Sequence, residues 1–258
     1  MVMERLDAAG KHPENQDPTK QFAIAQAKRL LRDAKVKDPG PKEQLAKKSS
    51  RTKETPAPTE LNLETEWQRQ AFNYVEHGYH TELGLTEEAY LASLPKFEPQ
   101  PEEYRGKFDV PLLVETRIPW PRQAELAGIA ISDYLRLKLN ETRQWEGSRS
   151  KTPDVAYTGW FNNWGQRFTE KISPFDARNQ LASDECEGSP FDGIAQRVHH
   201  PEVTRSGKYF DLISHNVGPG HVPCLGAWFG GLGLYAYWGG NAYPGFRPLV
   251  RGSKIVIG

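Results

Sequence analysis

The chain has 258 residues, enough for one or two domains, and its 33 basic and 33 acidic side chains leave no formal net charge. Basic side chains outnumber acidic ones in residues 1–60, whereas residues 61–110 contain more acidic side chains than basic ones. This pattern argues against a dedicated nucleic-acid-binding domain, because such a domain concentrates basic charge on one folded face. Only two cysteines occur, and no apolar signal-peptide core is found near residue 1, so we expect free thiols in a reducing cytoplasm.

Residues 1–60 differ in composition from the rest of the chain. They contain 13 basic and 9 acidic side chains, and residues 1–19 and 37–60 are rich in Lys, Pro, Glu, Gln, Ser and Thr, a composition typical of disorder. Between them, residues 21–36 place small apolar side chains at helical spacing among basic ones, which predicts one marginal helix. The sequence therefore predicts a disordered basic arm over residues 1–60 and a folded domain over residues 61–258.

The predicted helices come early in the folded part. Apolar residues share one face of a helix that begins near Leu61 and ends around Gly78. Thr86 is a suitable N-cap for a short second helix that Pro95 ends. N-cap and first-turn rules predict further helices over residues 121–127, 173–188 and 190–198.

The predicted strands lie mostly in the carboxy-terminal half. Residues rich in β-branched and aromatic side chains predict strands over 110–118, 154–161 and 208–214. Residues 129–139 fit either a helix or a strand, and residues 140–152 are polar enough for a loop. Early helices and late strands favour an α+β fold with a mainly antiparallel carboxy-terminal sheet.

The clearest strand signal is the run from Cys224 to Trp238. Gly230 and Gly231 separate two apolar runs and suit a two-residue hairpin turn, which would place Cys224 opposite Tyr237 and Trp228 opposite Gly233. Alternation then puts on one face Cys224, Gly226, Trp228, Gly233, Tyr235 and Tyr237. Aromatic rings on that face lie across glycines of the neighbouring strand, which suits a ligand platform or a second core layer.

A membrane segment is not expected, although residues 212–246 contain no Asp, Glu, Lys or Arg. Glycines interrupt this stretch, as do Pro219, Pro223 and Pro244. The continuous apolar part is shorter than the roughly 20 residues that a bilayer requires.

A second aromatic group surrounds two asparagines. Trp160 and Trp164 flank Asn162 and Asn163, and their rings would join those of Trp228, Tyr235 and Tyr237. Such a groove suits sugar rings or nucleobases through stacking and amide hydrogen bonds, although dense aromatic residues equally suit a core. The sequence favours a binding or interaction protein without a cofactor, whose partner is a small polar ligand or another protein.

The densest group of potential catalytic residues comprises His199, His200, Asp211, His215, His221 and Cys224. The alternative function is a cysteine-dependent hydrolase or transferase, with Cys224 as nucleophile and His221 or His215 as base. The spacing of His215, His221 and Cys224 also permits a zinc site, but it matches no standard finger. A buried structural cysteine is the simpler interpretation.

Acidic residues bracket the other cysteine, Cys186. The residues are Asp184, Glu185, Glu187 and Asp192, and they would suit a divalent ion or a pair of catalytic carboxylates. Because they lie at the end of a predicted helix, we expect a solvated helix end instead.

Overall fold

A computed structural model describes residues 61–203, 207–228 and 231–258, without the side chain of Trp228. The predicted disordered arm and its helix over residues 21–36 lie outside these residues. The described chain is an α+β domain with its helices early and a mainly antiparallel sheet toward the carboxy terminus, as the sequence predicted.

The helices follow the caps that the sequence provides. They are α1 (Leu63–Glu76), α2 (Tyr79–Glu82), α3 (Glu87–Ala92), α4 (Trp120–Leu126), α5 (Asp133–Leu137), α6 (Pro174–Asn179) and α7 (Pro190–His199). Thr86 accepts a hydrogen bond from the Ala89 amide to cap α3, and Ser173 caps α6 in the same way. These short-range caps satisfy amides that have no partner within the helix, and both were predicted.

The strands are β1 (Val110–Val114), β2 (Ala130–Ile131), β3 (Thr142–Gln144), β4 (Tyr157–Phe161), β5 (Glu185–Glu187), β6 (Tyr209–Asp211), β7 (His215–Val217), β8 (His221–Trp228), β9 (Gly231–Trp238), β10 (Phe246–Pro248) and β11 (Val250–Ile257). They form two sheets. The smaller has the order β1-β4-β11-β5, and the larger has the order β10-β6-β8-β7-β3, with β9 pairing to β8 and to β2. The carboxy-terminal strand β11 is therefore an inner strand.

Several predicted boundaries are wrong. In the first two cases below, pairing between distant segments overrides the local pattern, and in the third a local turn ends the strand. The predicted helix over residues 173–188 ends at Asn179, since residues 185–187 pair with β11. The predicted loop over residues 140–152 contains β3, which pairs with β7. The strand predicted to reach Ile118 ends at Val114, where the Glu115 carboxylate accepts hydrogen bonds from the amides of the next two residues.

The carboxy-terminal hairpin is present, but its register differs from the predicted one by two residues. Cys224 pairs with Tyr235 instead of Tyr237, and the ladder reaches the pair Trp228 and Gly231. The connecting residues are thus 229 and 230, which lie outside the described part of the chain. A shift of two residues keeps the alternation of side chains, so the predicted face is retained.

Helix α7 joins the two sheets. It packs against β1 of the smaller sheet and against β8 of the larger one. The helix also approaches Leu212, the residue after β6, so closely at Gly193 that a Cβ atom there would overlap the Leu212 side chain. In the described ranges no helix has both the length and the apolar character that crossing a bilayer demands.

Asn162, a predicted ligand contact, bridges the two sheets instead of facing solvent. Its side chain is fully buried, its Nδ2 donates to the Pro248 carbonyl at 3.1 Å, and its Oδ1 accepts from the Val250 amide at 2.8 Å. These bonds join the residue after β4 to the last residue of β10 and the first residue of β11. Both polar atoms of the side chain are therefore occupied within the fold.

We expect Asn162→Ala to lower the free energy of unfolding by about 2–4 kcal/mol, because two buried backbone groups lose their partners. Urea unfolding of the purified variant measures this. Asn140→Ala removes an exposed amide that forms no side-chain hydrogen bond in the described structure, and it should change stability by only about 0.5 kcal/mol. Equal losses in the two variants would contradict the bridging role.

Candidate functional site

The candidate site is an aromatic surface of the larger sheet, which we call the tyrosine face and define by Tyr209, Tyr235, Tyr237, Tyr243 and Phe246. Tyr209 on β6 pairs with Gly226 on β8, and a Cβ atom at Gly226 would overlap the Tyr209 ring. The predicted arrangement of a ring across a glycine therefore occurs here. The ring comes from β6, however, and not from β9.

The rings of the tyrosine face form a buried floor and an exposed rim. Tyr209 and Phe246 are buried and stacked, with ring centroids 4.3 Å apart. Tyr237 meets the rings of Tyr243 and Phe246 edge-on, at 5.3 and 5.1 Å. Tyr243 is 40% exposed. Edge-on and stacked contacts fix the orientation of the rings, so the exposed rim rests on an ordered base.

A buried carboxylate lies beneath this rim. Asp211 is fully buried, and its Oδ1 accepts a hydrogen bond of 2.8 Å from the Tyr237 hydroxyl. Its Oδ2 has no hydrogen-bond partner among the described residues. Burial raises the pKa of Asp211 to about 7, and the Tyr237 hydrogen bond and the charge of Arg247 only partly oppose this. The carboxyl group therefore changes charge near neutral pH.

Cys224 pairs with Asp211 across the sheet. Its side chain is fully buried, and burial raises the pKa of the Cys224 thiol well above its usual value, with a further contribution from the Asp211 charge. A cysteine nucleophile instead requires a lowered pKa and access to substrate. The surroundings of Cys224 thus favour a neutral thiol.

The two histidines proposed as bases lie elsewhere. His221 is three residues from Cys224 on β8, so the two side chains point to opposite faces. The His221 ring instead approaches Tyr134 and Trp238, with ring centroids 5.2 and 6.0 Å away. His215 is buried, and burial lowers its pKa to about 4, with a smaller effect from Arg178.

The predicted zinc ligands are not assembled either. In the part of the chain that the structure describes, no three His, Cys, Asp or Glu side chains come together in a way that would hold a metal ion.

The predicted tryptophans separate into different environments. Trp160 is buried in a core cluster with Phe168 and donates from its indole to the Glu98 carbonyl at 3.2 Å. The indole of Trp164 donates to the Gly245 carbonyl, which also accepts from the Tyr209 amide. Trp164 therefore borders the tyrosine face, whereas the side chain of Trp228 lies outside the described residues.

Three of the four acidic residues around Cys186, namely Glu185, Glu187 and Asp192, are buried and only Asp184 is partly exposed, so the prediction of a solvated helix end is wrong. Glu185 accepts bonds of 2.7 and 3.0 Å from Arg167. Glu187 accepts from the hydroxyl of Ser148 and from the Arg149 amide, both at 3.0 Å. Asp192 closes a capping box with Ser189. Strand pairing with β11 draws these carboxylates inward, and pairing partners so distant in sequence leave no local signal.

Sequence reasoning also missed Tyr243 and Phe246. They stand on either side of Pro244 and Gly245 in a stretch with no strand periodicity. They reach the tyrosine face because β10 pairs in parallel with β6, an arrangement that depends on the whole sheet.

Comparison of the chain with family descriptions, with curated proteins and with solved structures found no match. The functional argument therefore depends on the site itself.

We expect Cys224 to react slowly with iodoacetamide at pH 7.5, because the thiol is buried and its pKa is raised. The Cys186→Ser variant leaves Cys224 as the only thiol, and mass spectrometry follows its labelling. The same variant in urea should label rapidly, which provides the control. Fast labelling of the native protein would support the hydrolase or transferase hypothesis instead.

The raised pKa of Asp211 predicts a loss of stability with increasing pH. The unfolded-state pKa is about 3.9, so the folded state binds the proton more tightly. The resulting stabilisation is fully present below about pH 4 and is lost as the pH rises through about 7.

We expect the free energy of unfolding to fall between pH 5 and pH 8 by about 2–3 kcal/mol more in the wild type than in Asp211→Asn. Urea unfolding at both pH values tests this. Asp154→Asn changes an exposed aspartate and should keep the wild-type pH dependence. An unchanged dependence in Asp211→Asn would mean that Asp211 does not titrate in this range.

Proposed function

We propose that the protein is a binding protein whose tyrosine face receives a small polar ligand with a ring, such as a sugar. The observation that carries this proposal is the rim of the face. Tyr243 is 40% exposed beside Tyr237, and the Tyr237 hydroxyl is fixed by the buried carboxylate of Asp211.

The rim combines the two properties that such a ligand requires. Tyrosine rings offer flat apolar area for the apolar face of a sugar. The Tyr243 hydroxyl, which accepts a hydrogen bond of 3.0 Å from Asn241 Nδ2, can still donate one at the edge. Because Asp211 and the stacked floor already hold the rings, binding loses little side-chain entropy. Pre-organisation of this kind increases affinity without additional contacts.

Both free cysteines fit a reducing compartment, and we place the binding function in the cytoplasm. The same rim would also suit a protein partner, since tyrosine is frequent in protein interfaces. We favour the small ligand because the rim lies over a polar group, the buried carboxyl of Asp211.

Screening of neutral mono- and oligosaccharides by saturation-transfer NMR, followed by calorimetry, tests the proposal. Tyr243→Ala should weaken binding about tenfold or more, because a stacked ring contributes about 1–3 kcal/mol. Tyr237→Phe should weaken it less, since the ring remains and only the hydroxyl is lost.

Trp238→Ala is the matched control. Trp238 follows Tyr237 directly, is 50% exposed and points to the opposite face of β9. Its removal should leave saccharide binding unchanged. Loss of binding in Trp238→Ala but not in Tyr243→Ala would place the ligand on the other face and contradict the proposal.

A further inference from the structure

Arg178, at the end of α6, is a buried cation whose hydrogen bonds all go to neutral oxygens. Arg178 is only 7% exposed. Nε donates to the Ile213 carbonyl at 2.7 Å, and Nη2 donates to the His215 carbonyl and to Asn216 Oδ1, both at 2.9 Å. Within the described ranges, no carboxylate forms an ion pair with it.

This arrangement leaves the positive charge without a counter-ion. Burial lowers the pKa of Arg178 to about 10, and the charge of Glu187 opposes this only partly. The Glu187 carboxylate is already bound by Ser148 and Arg149. Carbonyl oxygens solvate a guanidinium but do not neutralise it, and a buried charge is unfavourable unless it is paired.

The guanidinium lies directly behind the wall of an open concavity. Its carbon is 4.6 Å from the centroid of the Trp145 ring. Trp145 and Asn216 both line this concavity, which has a volume of about 430 Å³. Two of the residues in the wall, Trp145 and Asn216, thus contact Arg178.

Arg143 makes the concavity suitable for an anion. This residue pairs with Asn216 across β3 and β7, so its exposed cation lies beside that amide. Glu141 and Glu146 also line the concavity. Lys138 Nζ lies 2.6 Å from the Glu141 carboxylate and offsets its negative charge. Glu146 is exposed, so solvent and salt screen its charge. Arg178 itself does not line the concavity, and in the described structure its Nη1 forms no hydrogen bond.

We propose that this concavity binds a small oxyanion, a carboxylate or a phosphate, which completes the charge balance of Arg178. Arg178 supplies the fixed positive charge, and Arg143 and Asn216 supply contacts at the opening. The exposed guanidinium of Arg143, which lines the concavity, matches the geometry of both oxyanions. This site is independent of the tyrosine face and does not require the function proposed for it.

Thermal unfolding of the full chain with inorganic phosphate or succinate, against chloride at equal ionic strength, tests the proposal. A saturating oxyanion should raise Tm by about 2–4 °C. Phosphate and succinate distinguish the two possible oxyanions, and calorimetry should give a saturable isotherm for the one that binds.

Asn216→Asp supplies a carboxylate next to Arg178 within the protein. We expect a higher Tm in chloride and no further increase with oxyanion, because the internal carboxylate replaces the ligand. Asn163→Asp makes the same chemical change at an exposed asparagine and should respond as the wild type does.

Arg143→Gln keeps the proposal testable if Asn216→Asp fails to fold, because Arg143 is exposed. It should leave Tm in chloride unchanged and weaken oxyanion binding at least fivefold. The proposal is wrong if neither oxyanion raises Tm above the chloride value, or if Arg143→Gln binds as the wild type does. Arg178 would then be only a structural link between α6 and β7.

Discussion

The structure depends on a buried ionic group around Arg251 of the inner strand β11. Its Nη2 donates to the Ser150 hydroxyl at 2.9 Å, and its guanidinium lies 5.6 Å from the centroid of the Tyr157 ring. The Tyr157 hydroxyl donates to Asp192 at the start of α7. Burial raises the pKa of Asp192, and the charge of Arg251 and the Tyr157 hydrogen bond oppose this only partly. Buried charges are tolerated only when they are compensated. Strands β4 and β11, helix α7 and the segment before β4 must therefore come together for any of these groups to be stable.

The tyrosine face depends on the same strand. Leu249 alone separates β10 from β11, its amide donates to the Asp211 carbonyl at 2.9 Å, and its own carbonyl accepts from the Gly188 amide at 2.8 Å. The position of β11 thus fixes Asp211 in β6 and Phe246 in β10. The buried carboxylate and the aromatic floor of the face are consequences of how the smaller sheet closes, although both belong to the larger sheet.

Local signals predicted part of this arrangement, and long-range pairing decided the rest. Thr86 and Ser173 were identified as caps because each satisfies an amide three residues away. Alternation identified the face shared by Cys224, Tyr235 and Tyr237, because side chains alternate along a strand with a period of two residues whatever the register of the pairing. The register was wrong because the glycine pair is only one of the possible turns, and alternation is unchanged by a shift of two residues. Strand β5 was missed because its partner begins 63 residues after its own last residue, and the burial of Glu185 and Glu187 follows from that pairing.

The molecule deals with buried charge in three ways, and the difference between them separates structural residues from candidate binding residues. Arg251 and Asp192 share one buried group in which opposite charges offset one another. Asp211 has no cation bonded to it in the described structure, and its raised pKa lets it become neutral by taking up a proton. Arg178 has neither solution, since a guanidinium stays charged at any physiological pH. Asp211 and the three residues that bond Arg178 lie within one short segment, from 211 to 216. A ligand that binds only the folded state stabilises it by mass action, and an anion in the proposed site supplies the compensation that Arg178 lacks within the fold.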